Sequence, residues 1–146
     1  MPEPDVELVH DATPEILDGL HRLIPQLSKS AAPMTLDDLA EIVTSPATPF
    51  FIARVDGCIV GSLTLVVFRL PTGVRAWIED VVVDQGARGR GIGAELNLTA
   101  IRLATELGAR TVDLTSRPSR DAANRLYRRL GFVERESNVY RFEGST

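Results

Sequence analysis

A glycine-rich segment that separates a predicted strand from a predicted helix is the feature that most constrains this chain. Residues 81–83 are three consecutive valines, typical of a buried strand, and residues 86–93 then hold four glycines and two arginines. A helix is predicted over residues 91–107, with Gly108 ending it. The first N–H groups of a helix lack partners within it, and glycine lets an anion approach the backbone closely. The segment therefore predicts an anion-binding loop at a helix N-terminus.

Two nucleotide-binding motifs with glycine-rich loops do not fit this segment. A Walker P-loop needs Gly-Lys-Ser/Thr, which is absent from residues 86–93. A dinucleotide-binding fingerprint belongs to the first strand–helix–strand unit of its domain, whereas consecutive hairpin-linked strands precede this loop. Arg88 and Arg90 add positive charge, and each charge-assisted hydrogen bond to a phosphate is worth about 1.5–3 kcal/mol, so a pyrophosphate could be held here. A tight turn that only packs the helix on the strand is the alternative.

The order of the predicted elements indicates a mixed α+β fold in a single domain over residues 1–146. Hairpin-linked strands are antiparallel, and Asp56-Gly57 is a strong hairpin signal. The strand–helix–strand unit over residues 81–115 predicts one parallel pair. We therefore expect a mixed, mostly antiparallel sheet of six to seven strands with helices on both faces. The predicted strands cover residues 6–10, 50–55, 58–70, 74–84, 111–115, 132–133 and 139–142, and further helices follow caps at Thr13, Thr35 and Ser119.

Composition places the chain among globular proteins and excludes several kinds of site. Apolar residues make up 44% and charged residues 25%, close to globular averages. Cys58 is the only cysteine, which excludes an internal disulfide and a cysteine-built zinc site, and with only His10 and His21 no metal site is expected. The longest apolar-leaning run, residues 58–68, is too short to cross a bilayer, and no leader segment opens the chain. We therefore expect a cytoplasmic protein with no membrane partner.

Charge is divided unequally between the two halves of the sequence. Residues 1–73 carry four basic and ten acidic side chains, whereas residues 74–146 carry twelve basic and ten acidic ones. The net charge of −4 gives no reason to expect nucleic-acid binding. The asymmetry favours an anion bound by the second half and a cationic substrate attracted by the first, with codon bias as the alternative explanation of the arginine excess.

Two segments resemble the GNAT superfamily of N-acetyltransferases. Residues 88–93 (Arg-Gly-Arg-Gly-Ile-Gly), after their valine-rich strand, are similar to the family's Arg/Gln-x-x-Gly-x-Gly/Ala motif. Residues 123–132 resemble the family's closing helix, in which a tyrosine, here Tyr127, precedes a Gly-Phe pair by three residues. The two motifs occur in the family's order, and the opening strand and helices resemble its N-terminal part. The resemblance covers nearly the whole chain.

The resemblance implies acetyl-CoA as the cofactor. The pantetheine arm would pair with the main chain of Val81 and Val83, in a gap where their strand splays from its partner in a central parallel pair. Many family members place an asparagine seven residues before the tyrosine; here that position is Arg120 and Asn124 lies one turn later, so either is a candidate CoA contact. The residues whose backbone amides the resemblance assigns to the pyrophosphate are Arg88, Gly89, Arg90, Gly91, Ile92 and Gly93.

Acetyl transfer to an amine calls for a base, because a free alkylammonium titrates at about 10.4 and only the neutral amine attacks. Members of the family often carry a carboxylate on the strand before the loop, and alternation places Glu79 on the face of Val81 and Val83. Asp80 is the rival base if a bulge shifts that alternation. The resemblance implies Tyr127 as the acid for the leaving thiolate, with packing in the core as its alternative role. The Val81 amide is a candidate to polarise the acetyl carbonyl.

We therefore expect an N-acetyltransferase that transfers an acetyl group directly from acetyl-CoA to a primary amine in a ternary complex. The acceptor can be a small amine, an amino sugar or a peptide amine, which the sequence does not distinguish. A non-catalytic acyl-CoA-binding or regulatory module of the same fold is the alternative. The resemblance also allows a homodimer formed through the last strands.

Overall fold

The computed structural model describes residues 3–144, and these form two compact units that divide between Thr115 and Ser116. Along the first unit the elements are β1 (Asp5–Leu8), α1 (Pro14–Leu27), α2 (Leu36–Thr44), β2 (Phe50–Val55), β3 (Cys58–Leu70), β4 (Gly73–Val83), a short 3₁₀ turn (Gln85–Ala87), α3 (Ile92–Glu106) and β5 (Val112–Asp113). In the second unit, α4 spans Asp121–Arg129.

The strands form one sheet in the order β1-β2-β3-β4-β5. Every pairing is antiparallel except the parallel pair β4–β5. The turn between β2 and β3 is Asp56-Gly57, and both residues have positive φ, 51° and 79°, as a type I′ hairpin requires. The predicted mixed α+β class and mostly antiparallel sheet are confirmed.

Helices α1 and α2 begin at their predicted caps. The Thr13 hydroxyl accepts a hydrogen bond from the Ile16 amide at 3.2 Å, and Pro14 takes the first helical position. Thr35 and Asp38 form a reciprocal capping box, with hydrogen bonds of 3.1 and 2.9 Å. Each cap satisfies amides that a helix start leaves without partners, which typically stabilises a protein by about 1 kcal/mol.

Different helices cover the two faces of the sheet, so the predicted arrangement of helices on both faces is confirmed. On one face, α1 and α2 pack on the strands. The other face packs against α3, since a Cβ added at Gly61 of β3 would lie 3.1 Å from Leu96 and 3.2 Å from Ile92. The buried residues of the α1–α2 face include Ile16, Leu20, Leu23, Leu39, Ile52 and Val82.

The predicted count of six to seven strands is wrong for the described residues, in which the sheet has five. Residues 132–133 and 139–142, predicted as the last strands, take up neither helix nor strand. A strand exists only where its backbone is paired, and the described part of the second unit holds no strand that could pair with either segment. Without these two strands, the parallel pair β4–β5 lies at the edge of the described sheet and not in its centre.

Candidate functional site

A β-bulge interrupts β4 at the candidate bases. Across the β3–β4 ladder, Thr64 lies opposite Glu79 and Ser62 lies opposite Val82. Two steps along β3 therefore match three along β4, so that β4 holds one extra residue. The bulge includes Asp80, whose φ of 52° is unusual for a residue other than glycine. Glu79 and Asp80 are both exposed, and the bulge shifts the alternation at Asp80, so both residues are candidates for the base.

The bulge also separates Glu79 from the valines that follow it. Glu79 shares the α1–α2 face of the sheet with Val82, because their partners lie two residues apart on β3. Val83 lies opposite Gly61 and therefore belongs to the α3 face. The predicted common face for Glu79, Val81 and Val83 is wrong, since one extra residue in the strand reverses the alternation of its side chains.

Beyond the bulge, one edge of β4 has no strand beside it in the described part of the chain. Strand β5 pairs with β4 through Val112 and Asp113 alone, and the parallel ladder ends there. The Asp84 amide donates to a β3 carbonyl at 2.8 Å, on the opposite edge. Alternation therefore turns the backbone groups of Val83 and Val81 toward the edge without a strand, where an extended ligand can pair with them.

Two side chains hold the 3₁₀ turn into which β4 leads. The Asp84 carboxylate accepts a hydrogen bond from the Gly86 amide at 3.1 Å. Gln26, in the last turn of α1, donates from Nε2 to Asp84 Oδ1 at 2.9 Å and accepts from the Gln85 amide at 3.0 Å. Sequence reasoning missed Gln26, because it meets Asp84 across 58 residues and no local pattern marks that contact.

The glycines after this turn hold a backbone conformation that other residues rarely adopt. Gly89 and Gly91 have φ values of 82° and 76°. A Cβ added at either glycine would meet no atom within 4 Å, so the space beside both is open. Gly91 is the N-cap of α3, and no side chain caps the first turn of that helix. The first amides of α3 thus remain available to an outside acceptor at the positive end of the helix, which suits an anion.

The other residues predicted to hold an anion differ in exposure. Arg88 and Arg90 are exposed, and neither forms an ion pair with another described residue. Gly93 is half-buried, and the side chain of Ile92 is buried, so only the backbone of Ile92 is available to a ligand. Formal positive charge and available amides therefore occur together in the loop that follows β4.

In the second unit, the candidate acid Tyr127 lies on α4 against an aromatic neighbour. Its ring is edge-on to that of Phe132, with the ring centroids 5.7 Å apart, and the Phe132 amide donates to the Tyr127 carbonyl at 2.9 Å. Burial raises the pKa of the Tyr127 phenol, and the positive charge of Arg120 opposes that shift. The phenol is therefore protonated at neutral pH and can donate a hydrogen bond or a proton.

The two candidate CoA contacts differ in what their side chains already bind. Asn124 donates from Nδ2 to the Arg117 carbonyl at 3.0 Å, so its amide closes the turn before α4. Arg120 is exposed, and its side chain makes no hydrogen bond to another described residue. It is also the N-cap of α4 in place of the predicted Ser119, because the Arg120 amide first closes a turn onto the Arg117 carbonyl at 3.0 Å.

Two further features concern the part of the chain that the structure describes. No helix within residues 3–144 is long and apolar enough to cross a membrane. The same residues contain no group of three or more histidine, cysteine, aspartate or glutamate side chains that could hold a metal ion.

Over most of its length the chain is similar to known acetyltransferase sequences. The model of the acetyltransferase (GNAT) family matches residues 17–132. An uncharacterised N-acetyltransferase of Methanocaldococcus jannaschii is 36% identical over 90 residues, which are 60% of this chain and 40% of that protein. A probable glucosamine 6-phosphate N-acetyltransferase of Oryza sativa subsp. japonica is 32% identical over 99 residues, which are 68% of this chain and 56% of that one. The chain thus spans about half the length of these curated relatives.

Solved structures show the same fold. The aminoglycoside N-acetyltransferase AAC(6')-Iy in complex with CoA superposes with a TM-score of 0.78, at 20% identity, over 98% of this chain and 96% of that one. Its complex with a bisubstrate analogue, CoA-S-monomethyl-acetylneamine, gives a TM-score of 0.79 at 20% identity, over 98% and 99% of the two chains. The family model includes both the glycine loop and the helix of Tyr127. The resemblance seen in the sequence is therefore confirmed, and the chain belongs to the acetyltransferase (GNAT) family.

Proposed function

We propose that this protein is an N-acetyltransferase that transfers an acetyl group from acetyl-CoA directly to a primary amine in a ternary complex. The observation that carries the proposal is the end of β4, where an arginine- and glycine-rich loop with uncapped helix amides follows a strand edge that lacks a described neighbour. Such a loop suits a phosphate, and such an edge suits an extended arm with amide groups. CoA carries a pyrophosphate and an extended arm of that kind.

The residues at this edge fit the proposed cofactor. Backbone amides of residues 88–93 would hold the pyrophosphate, with the exposed guanidinium groups of Arg88 and Arg90 supplying charge. The main chains of Val81 and Val83 would pair with the pantetheine arm, as the direction of their backbone groups allows. The open space beside the loop glycines leaves room for the phosphates to approach the backbone.

Acetyl-CoA, when bound, supplies the acetyl group as an activated thioester. Glu79 is the proposed base, because it is an exposed carboxylate on β4 that can accept the proton the acceptor ammonium must lose. The Val81 amide would donate a hydrogen bond to the acetyl carbonyl oxygen, where negative charge develops. The phenol of Tyr127, whose pKa burial raises, would donate a proton to the leaving sulfur.

Between the two candidates at the start of α4, we favour Arg120 as the contact to CoA. The Asn124 amide is already bonded to the Arg117 carbonyl, whereas the Arg120 guanidinium makes no hydrogen bond to another described residue. A guanidinium is also the better partner for a phosphate. Arg120→Ala should therefore weaken CoA binding, whereas Asn124→Ala should chiefly lower the unfolding temperature.

The acceptor that we propose is a cationic amine carried on a sugar. Residues 1–73 hold ten acidic and four basic side chains, and this excess attracts a cation over a distance. The rice relative is named for glucosamine 6-phosphate and AAC(6')-Iy for aminoglycosides, and both names describe amines on sugars. The exposed Glu79 lies on the sheet face that α1 and α2 cover, so we place the acceptor on that side.

Calorimetry with CoA, run beside a free-thiol release screen over amino sugars, aminoglycosides and peptide amines, tests the proposal. CoA binding together with thiol release by one class of amine would support it and identify the acceptor. Binding without release by any amine would favour the non-catalytic acyl-CoA-binding module. Failure of the protein to bind CoA would overturn the proposal.

A matched pair of glycine variants assigns the binding to the loop. Gly91→Asp should abolish CoA binding, because it puts a carboxylate beside the pyrophosphate. Gly108→Asp, beyond the other end of α3, is the control. The φ of Gly108 is 88° against 76° for Gly91, and an added Cβ meets nothing within 4 Å at either position. Aspartate tolerates a left-handed φ better than most residues, so both variants should fold. Equal CoA affinity in the two variants would contradict the loop assignment.

A second copy of this chain is the partner that we propose for the last segment. Val133, Val139, Tyr140 and Phe142 are 81, 72, 88 and 95% exposed. Exposed apolar side chains that recur within one short segment are commonly buried by association. Sedimentation velocity should show a dimer that Tyr140→Ser combined with Phe142→Ser converts to a monomer, and a monomeric wild type would contradict this assignment.

A further inference from the structure

We infer that Gln26 is a positioning residue for the acetyl-CoA loop: its side-chain amide links the end of α1 to the first residues after β4 and sets where the loop begins. The inference rests on the proposed function, because it gives Gln26 a part in binding the same cofactor. Gln26 itself is half-buried and lies before the loop, so its contribution is made through the residues that it holds.

Both ends of the Gln26 amide are used. Nε2 donates to Asp84 Oδ1 at 2.9 Å, and Oε1 accepts from the Gln85 amide at 3.0 Å. The second oxygen of Asp84, Oδ2, accepts from the Gly86 amide at 3.1 Å. Each donor in this group therefore faces an acceptor. Position 26 needs one donor and one acceptor on neighbouring atoms, which an amide supplies and a carboxylate does not.

The contact lies where the chain passes from sheet to loop. The Asp84 amide still bonds to the Val60 carbonyl of β3 at 2.8 Å, and the glycines and arginines of the loop follow within the next few residues. Without Gln26, the turn at Gln85–Ala87 would lose its link to α1 and keep only the bonds that it makes to Asp84. A loop that is held in its binding arrangement beforehand loses less conformational entropy when the ligand binds.

Helix α1 is itself anchored close to this contact. The Arg22 guanidinium donates to the Ile59 carbonyl of β3 at 3.2 Å, and the Gln26 amide also donates to the Arg22 carbonyl at 3.2 Å. The helix therefore provides a support that is fixed to the sheet, and Gln26 transmits that support to the start of the loop.

Two single variants and their combination test the inference by CoA calorimetry. Gln26→Glu places two carboxylates against each other and should weaken CoA binding about tenfold. Asp84→Asn removes a negative charge near the phosphates, so electrostatics alone predicts tighter binding. The positioning role predicts instead that Asp84→Asn binds CoA about tenfold more weakly. With side-chain amides at both position 26 and position 84, one N–H group is left facing another donor. Gln26→Glu with Asp84→Asn keeps the net charge, remakes the three bonds that hold the turn and should restore most of the wild-type affinity, since only the longer bond to the Arg22 carbonyl is not remade.

Gln85→Glu is the matched control for charge. It adds the same negative charge at the residue whose amide Gln26 binds, and the Gln85 side chain makes no hydrogen bond to another described residue. Weakening by Gln26→Glu beyond that of Gln85→Glu therefore measures the loss of the contact. In steady-state kinetics Gln26→Glu should raise KM for acetyl-CoA and change kcat little, since Gln26 acts on binding. Thermal unfolding of every variant accompanies these measurements.

The outcomes separate this inference from the proposed function. If the wild type binds CoA and both single variants bind equally well, the positioning role is overturned and the proposed function stands. If the single variants weaken binding and the double variant does not restore it, the role is likewise overturned. If both single variants fail to fold while the double variant folds, the contact is structural and has no separate part in binding. If the wild type does not bind CoA, both the function and the inference fall.

Discussion

Glu79 of β4 lies directly opposite Thr64 of β3, on the sheet face that α1 and α2 cover. The bulge at Asp80 follows at once and turns the Val81 backbone toward the edge of β4 that has no described neighbour. A carboxylate on one face and a main-chain amide at the edge are thus only two residues apart. The proposed reaction uses both groups: the carboxylate accepts a proton from the incoming amine, and the main-chain amide donates a hydrogen bond to the acetyl oxygen.

Replacement of Glu79 by glutamine should lower kcat/KM for the acceptor by about 10²-fold, because general-base assistance is lost. The loss should be largest at the acid end of the pH profile, where the amine is almost all protonated. Asp80→Asn is the matched control, since it removes the neighbouring exposed charge and asparagine accepts a φ near the 52° found there. A larger loss in Asp80→Asn than in Glu79→Gln would assign the base to Asp80.

The variant Tyr127→Phe should lower kcat by about 10²-fold while acetyl-CoA affinity stays unchanged. Phenylalanine keeps the edge-on contact with Phe132, so the fold of α4 should persist. Because burial raises the pKa of Tyr127, any fall in wild-type kcat that its ionisation causes should come at a higher pH than for an ordinary tyrosine, whose pKa is about 10. A pH–rate profile with matched calorimetry checks both points. Unchanged kcat in Tyr127→Phe would leave this residue with a packing role alone.

A valine at position 80 should lower the free energy of unfolding by about 1–2 kcal/mol, because a β-branched residue is strained at positive φ. Asp80 adopts a φ of 52° within the bulge of β4. Asp80→Asn should unfold close to the wild type in urea, since asparagine tolerates this conformation. Equal stability of Asp80→Val and Asp80→Asn would mean that the bulge is not held in this form in solution.

Much of the first unit is predictable from sequence because its signals act on near neighbours. Thr13 caps an amide three residues ahead, and Thr35 and Asp38 cap each other. Asp56-Gly57 fills a turn whose backbone few other pairs accept. The glycine loop is predictable for the same reason, since the anion binding proposed for it depends on local backbone conformation and on the start of the helix that follows.

Features that depend on distant partners are not predictable in this way. The bulge at Asp80 arises from the register between β3 and β4, and an aspartate does not mark a left-handed position as glycine does. Gln26 meets Asp84 only after the helix and the sheet have packed. Val139, Tyr140 and Phe142 are good strand formers, but a strand needs a partner that the segment itself cannot supply.

The ion pair between Arg54 and Glu15 should make stability depend on pH in the acid range. The Arg54 guanidinium bonds both Glu15 oxygens, at 2.8 and 3.0 Å, and this holds the pKa of Glu15 below its ordinary value. A lowered folded-state pKa contributes stability above the unfolded value of about 4.3, and that contribution is lost as pH falls through the folded value. Glu15→Gln should therefore lower the unfolding temperature at pH 7 and have progressively less effect on acidification. Asp18→Asn, on the same helix and without an ion pair to another described residue, should show no such trend. Parallel thermal unfolding curves for the wild type and Glu15→Gln at every pH would contradict the assignment.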